Sequence, residues 1–511
     1  MIHIDGNHLT IDEIIRVARS NEPVDLTALA RKAISRSEKW LSTIAARDQA
    51  VYGINTGLGS FSTSRIPNEQ SARLSRNLIL SHAVGSGPAF PAEVVRAAVL
   101  IRANALAKGF SGIRLEVVES LLELLNRKLT PVIPSQGSLG SSGDLIPLAH
   151  LCLVLTTDQE DREEESGQAD YMGSRMSGQA AMQKAGIRRV VLGPKEGLAL
   201  INGATFSAAV AALAIRDTAR LLDRADMCLA LSLEALQGCP DAYDPRLHEV
   251  RGHGGQKEVA GHVRRFTRGS TFFTGKRRVQ DAYSLRCAPQ VHGAARDYFK
   301  TVHHTVEVEI NAATDNPLIF GADDVLSGGN FHGEPVAFAM DSLKMILAEV
   351  GAISERRTFR LLDANLNDGL PPMLVDNLES AGLNSGLMMP QYAAASLVLE
   401  NQTLANPDSI HSLPASANQE DHNANAMTAA RHARQVVENV TRILAIEAYT
   451  AARALDLRMR QDPKGRLGAG TRLMHAAIRK AIPYQAGDAW WGPELDAITG
   501  LLSSDDVVTD K

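Results

Sequence analysis

The chain has 511 residues and a formal net charge of −5, with 44% hydrophobic and 22% charged residues. That balance excludes global disorder, and the mild acidity argues against general binding to nucleic acid or to anionic membranes. Cys152, Cys228, Cys239 and Cys287 form no CxxC pair, which excludes a disulfide scaffold and a cysteine-based zinc site and points to a reducing, cytoplasmic setting.

The opening residues mix acids and bases and lack the apolar centre of a signal peptide. Over the first 200 residues, helical stretches alternate with glycine-rich segments at 53–59, 85–87 and 137–143, where backbone can approach other backbone or a ligand. Residues 158–165, DQEDREEE, read as a solvated acidic loop without chemistry. Two stretches without charge, 197–215 and 380–399, raise the question of a membrane span. Asn202, Thr205 and Ser207 in the first, and Asn384 and Gln391 in the second, favour deeply buried segments of a large core instead. A long helix is predicted over 206–237, ended by a glycine cap at Gly238 with Pro240 behind it. Between 246 and 278, Arg and Lys gather among glycines, but no nucleic-acid-binding module accompanies them. Pro335 can open a further helix, and another is predicted over 426–462, ended by Pro463. The prediction is a mainly α protein divided into 1–200, which carries the glycine loops, and 201–511, a long-helix bundle with a C-terminal helical region.

Familiar catalytic motifs are missing. His332-Gly333-Glu334 starts like a zinc deaminase signature, but no PCxxC follows. There is no HExxH and no GxxxxGK[ST], and GSLGSSG at 137–143 misses GxSxG by one position. Adjacent His303 and His304 diverge on a helix, so a shared metal is not expected.

The chemistry concentrates in residues 137–150, GSLGSSGDLIPLAH. A compressed Ser-Gly loop can cyclise through its backbone. The Gly143 nitrogen attacks the Ser141 carbonyl, two waters leave, and the former Ser142 side chain becomes an exocyclic methylidene on a five-membered imidazolone. For the four residues SSGD alone, the plainer reading is a turn before a helix that starts near Asp144.

The longer string resembles the signature of the histidine and aromatic amino acid ammonia-lyases, whose Ala-Ser-Gly triad forms 4-methylideneimidazole-5-one (MIO). Six more strings resemble that family in order: VYGINTGLGSFSTSRI at 51–66, NLILSHAVG at 77–85, LINGA at 200–204, VQDAYSLRCAPQVHG at 279–293, DNPL with SGGNFHGEP within 311–335, and SANQEDH at 416–422. The resemblance implies an N-terminal domain bearing MIO made from Ser141, Ser142 and Gly143, followed by a central helical bundle. It also implies a homotetramer with shared active sites and no metal or diffusible cofactor. The implied reaction eliminates ammonia from L-histidine to give trans-urocanate.

The resemblance assigns roles residue by residue. Tyr52 takes the base position, which requires nearby positive charge or donors because a free phenol has a pKa near ~10; on its own it also reads as a loop anchor. Arg286 grips the substrate carboxylate, as a planar guanidinium can; any single arginine also reads as an ion-pair partner. Tyr283, one helical turn earlier, orients the amine or the ring. Asn202 and Gln280 supply polar groups where negative charge builds, and Phe331 walls the pocket or simply fills core. His82 and Glu420 read the substrate ring. A carboxylate suits an imidazole N–H and suits a phenyl ring poorly; the alternative for Glu420 is a helix N-terminal cap.

Four departures bear on the substrate more than on the reaction class. Ser141 stands in place of the usual Ala, and Leu58 in place of Phe. Asn423-Ala424-Asn425 replaces Val-Ser-Met, and the acidic run follows Thr157. The rival readings are a tyrosine or phenylalanine ammonia-lyase or aminomutase and, from another class, an inactive helical scaffold.

Overall fold

The computed structural model describes residues 1–47, 50–57, 59–61, 63–275 and 279–505, so Leu58 lies outside the described residues. The described chain is mainly helical. Its strands are at most four residues long and form sheets of two or three strands. Two compact units divide it: unit one comprises Met1–Arg216, His303–Asp341 and Pro407–Arg431, and unit two comprises Asp217–Val302, Ser342–Asn406 and His432–Lys511. The helices Thr205–Ala235, Ala288–Glu309, Glu334–Leu362 and Ala426–Gln461 each begin in one unit and end in the other. No single cut near residue 200 therefore reproduces the compact units.

In unit one the helix Ala92–Ala107 is buried at every position from Val94 onward. Two of its buried polar side chains, Arg96 and Asn104, find backbone partners, as burial demands. Arg96 donates to Val17 O, and Asn104 donates to Ile310 O and accepts from the Gly6 N–H. The neighbouring helix Ile11–Ser20 starts with a capping box between Thr10 and Glu13. Residues 195–215 are buried without a break, as expected for 197–215.

The acidic run at 158–165 lies at the surface as expected, with residues 159, 160 and 162–164 exposed, and it also engages two buried guanidiniums. Asp161 pairs with the buried Arg189, and the carbonyl of Glu165 accepts from the buried Arg76 at 2.9 Å. Two guanidiniums held away from water need counter-charge and acceptors, and the run supplies both.

In unit two the 205–235 helix ends two residues before its expected limit, in a different cap. Gln237, not Gly238, is the left-handed residue, at φ 51°. The Gly238 N–H reaches Leu233 O and the Gln237 N–H reaches Glu234 O, the paired bonds of a Schellman motif. Gly238 serves close approach instead, since a Cβ there would stand 2.8 Å from the Leu233 side chain. Glu447, fully buried, accepts from Arg357, Ser232 and Ser354. Cations of the basic stretch are engaged within the unit: Arg246 with Asp244, Lys257 with Glu249, and Arg264 with the Tyr243 carbonyl.

The second uncharged stretch departs from expectation. Of residues 380–399 only Gly386, Leu387, Pro390 and Ala394 are buried, and the helix Met388–Leu404 turns Met389, Tyr392 and Leu399 outward. Absence of charge marks surface that avoids water, but does not say whether the same chain covers it. Among the described residues, no helix is long and apolar enough to cross a membrane.

Candidate active site

The glycine loop is held on two sides within unit one. Gly143 has φ +77°, and a Cβ there would lie 2.0 Å from the Gly203 carbonyl carbon, so only glycine fits. The Gly203 N–H donates to Ser142 O at 3.0 Å, and the Asp144 N–H donates to Gly203 O at 2.9 Å. Gly203, at φ +108°, is itself seated on Thr314. Beneath this turn the fully buried Arg102 donates to the carbonyls of Ala199 and Asn202 and to Thr314 Oγ1. On the other side, the Asn425 N–H donates to Leu139 O at 2.9 Å, and the Ser141 hydroxyl donates to Asn423 Oδ1.

The helix Leu145–Leu155 starts at Asp144, as expected, but Asp144 does not cap it. Its fully buried carboxylate accepts from the Ser207 N–H at 2.7 Å and from the Ser207 and Ser138 hydroxyls. It thus caps the start of the 205–235 helix and ties that helix to the loop. Burial pushes its pKa up against these donors, which favour the charged form.

A cavity of about 770 Å³ opens over the loop. Tyr52, His82, Ser141, Ser142, Asn202, Phe331 and Glu420 line it, all from unit one. Ser142 Oγ donates to Glu420 Oε1 at 3.2 Å. Glu420 exchanges backbone bonds with Ala415 and precedes the helix Ala426–Gln461 by several residues, so it is not that helix's cap. Asn202 Nδ2 donates to Asn316 O at 3.2 Å. Burial raises the Tyr52 pKa and the charge on Glu420 raises it further, while the Gly59 N–H works the other way. Burial lowers the pKa of His82 against the opposing pull of the Leu78 carbonyl and Glu420. The Ser81 hydroxyl lies 3.0 Å from His82 Nδ1.

The other three predicted residues belong to unit two. Gln280 is exposed, and Tyr283 is 70% exposed on the one-turn helix Tyr283–Arg286. The Arg286 guanidinium lies 4.6 Å from the centre of the Tyr283 ring, and its Nε donates to Asp281 O. They are not among the residues lining the cavity.

Sequence reasoning missed His332 and His422, whose rings stack at 5.9 Å on the cavity wall, and it missed Gln419 and Asn316. Their signal was present, since they sit inside strings already singled out. Of the buried supports, Asp144 lies inside the 137–150 string and Thr314 just before DNPL, whereas Arg102 lies in no such string. Among the described residues, no cluster of side chains is suited to a metal ion.

A glycine loop packed against the 203 turn, facing a cavity with a phenol, an imidazole and a carboxylate, points to a class. The profile described as aromatic amino acid lyase matches residues 9–480, and the chain belongs to that family. A histidine ammonia-lyase from Caldanaerobacter subterraneus subsp. tengcongensis is 50% identical over 505 residues, covering 98% of this chain and 96% of that protein. The crystal structure of histidine ammonia-lyase from Trypanosoma cruzi superposes with a TM-score of 0.89 at 37% identity, covering 99% of this chain and 94% of that one. Tyrosine aminomutase from Streptomyces globisporus gives 0.91 at 33% identity, with 98% and 96% covered.

Proposed function

We propose that this chain is a carbon–nitrogen lyase that eliminates ammonia from L-histidine to give trans-urocanate, using MIO built from Ser141, Ser142 and Gly143. The observation that carries the reading is the meeting of Ser142 with Glu420 in one cavity with Tyr52 and His82. The relatives at 42–50% identity that are named histidine ammonia-lyases support the same substrate.

The tripeptide fits the group. Gly143 brings a backbone nitrogen with no side chain beside it, and the 203 turn presses the loop from one side. When formed, MIO supplies an electrophilic methylidene to the substrate amine, making ammonia a better leaving group. Forming it removes the Ser142 hydroxyl, which leaves the Glu420 carboxylate to accept from the substrate imidazole N–H. His82 flanks the ring from the neighbouring helix Ser71–His82.

Tyr52 removes the β-proton, a step for which general-base help is typically worth about 10²–10⁴-fold. Burial and Glu420 both oppose its phenolate, and positive charge brought from outside unit one would favour it. Arg286 of a neighbouring copy supplies that charge and grips the substrate carboxylate. Tyr283 and Gln280 come with it to orient the amine, and the assembly is a homotetramer. The exposure of Tyr283 and of the apolar stripe on the 388–404 helix supports this assembly. The unpaired cysteines fit a reducing cytoplasmic setting.

A tyrosine or phenylalanine substrate, or an aminomutase outcome, is the second reading, favoured by the likeness to tyrosine aminomutase. One preparation decides between them. Intact mass two waters short of the sequence mass is expected; an unmodified mass would support an inactive scaffold. A substrate panel read by ultraviolet absorbance is expected to show urocanate rather than coumarate or cinnamate, and a β-amino acid would indicate an aminomutase.

A further inference from the structure

Two of the sequence departures, Ser141 and Asn423, meet in the folded chain. Both are buried, at 6% and 1% exposure. The Ser141 hydroxyl donates to Asn423 Oδ1. The rest of Asn423 is already committed, with Nδ2 donating to Leu413 O and its backbone N–H to Ser412 Oγ at 2.8 Å. With the amide nitrogen turned to a carbonyl, the oxygen is the end left for Ser141, so the amide orientation is set by its neighbours. Alongside, the Asn425 N–H holds Leu139 O at 2.9 Å, and a Cβ on Gly140 would come within 3.3 Å of Ala426 N. The first residue of the triad is thus tied to 423–426, while the last is pressed on Gly203.

We infer that Asn423 is a positioning residue for closure of the ring. The inference rests on the reading that MIO forms here. Closure joins the Gly143 nitrogen to the Ser141 carbonyl carbon. The carbonyl oxygen leaves as water with the protons of the Gly143 and Ser142 nitrogens. The Ser142 hydroxyl then leaves as a second water with that residue's α-proton, giving the alkene. No oxidant or reductant is needed. Asn423 touches none of these atoms. It acts through the Ser141 side chain, which the reaction does not consume, and so fixes the Cα that carries the attacked carbonyl. An apolar pair at 141 and 423 would satisfy the same space by packing; an unmatched pair would leave a buried polar atom and a loose first residue.

The test follows water loss by intact mass during cell-free synthesis and chase of the full chain. The variants are Asn423→Ala, Ser141→Ala and the double Ser141→Ala/Asn423→Val, with Ser142→Ala as the unconverted reference. Each single variant is expected to convert about tenfold more slowly than the parent, the scale of a sub-ångström misplacement, and the double to return to within about twofold. Thermal unfolding of each variant separates slow closure from poor folding, because a merely structural role would lower the midpoint and leave conversion of folded chains unchanged. If Asn423→Ala does not fold, Ser141→Ala, which deletes one oxygen, decides alone. Single variants that convert as fast as the parent, or a double as slow as the slower single, overturn the role of Asn423. A parent that never loses the two waters overturns the MIO reading itself.

Discussion

Residues 195–215 are buried without a break, whereas residues 380–399 bury only Gly386, Leu387, Pro390 and Ala394. Residues 197–215 and 380–399 carry no charged side chain. The first lies in unit one up to Arg216 and finds its partners there: Asn202 with Asn316 and Arg102, and Ser207 with Asp144. The second, in unit two, carries Met389, Tyr392 and Leu399 at 55%, 62% and 65% exposure, in a stripe along one helical face. The difference separates two uses of apolar sequence. One builds a buried floor under the 137–143 loop, and the other leaves an apolar face uncovered within its own unit.

The floor is tested most severely from the loop above it. Ser142→Ala removes the oxygen whose loss would make the proposed alkene, and kcat is expected to fall on the order of 10³-fold or more, as for a missing covalent group. Steady-state deamination beside intact mass checks this. Full turnover by that variant would end the MIO reading. Next in size is Gly203→Ala. Its Cβ would meet Thr314 Oγ1 at 2.5 Å on a backbone at φ +108°, so both strain and a clash arise. We expect a loss of about 3 kcal/mol or more in denaturant unfolding, together with incomplete water loss. A stable, fully converted variant would show that the floor is not what compresses the loop.

How much of this was legible depended on whether a residue acts through its own pattern or through contacts from afar. Ser141, Ser142, Glu420 and His82 lie in ordered strings and line one cavity. The helix at 206–237 was legible from its lack of Gly and Pro, but its cap was not, because the left-handed turn falls on Gln237 and Gly238 answers to the Leu233 side chain. Arg102 is a lone arginine in an alanine-rich helix, and its task is set by carbonyls about a hundred residues away and a threonine further still. Ser141 and Asn423 were each visible as departures; that they meet in a hydrogen bond is a property of the fold.

A smaller effect sharpens the chemistry above the floor. Glu420→Gln keeps the shape and replaces an acceptor-only carboxylate by an amide with its own donors. Loss of a hydrogen bond to a charged group costs about 1.5–3 kcal/mol, so kcat/KM for histidine should fall roughly 10–100-fold, with tyrosine disfavoured less. A uniform loss for both substrates would make Glu420 a support for the loop rather than a reader of the ring.

The face that lacks a floor gives the smallest effect on the chain itself and the clearest contrast. Tyr392→Glu places a charge on a side chain already 62% exposed, where substitutions usually shift folding by no more than about 0.5 kcal/mol. If another copy covers this helix, the same charge becomes buried without a partner, which is costly. The expected result is a chain that unfolds at its usual midpoint when isolated, but whose mass by light scattering drops below that of the parent assembly. If Arg286 and Tyr283 arrive from a neighbour, as proposed, activity should fall with it and return as protein concentration rises. An unchanged mass would leave the stripe on the 388–404 helix outside the assembly, and the neighbour's arginine would have to be brought in along some other face.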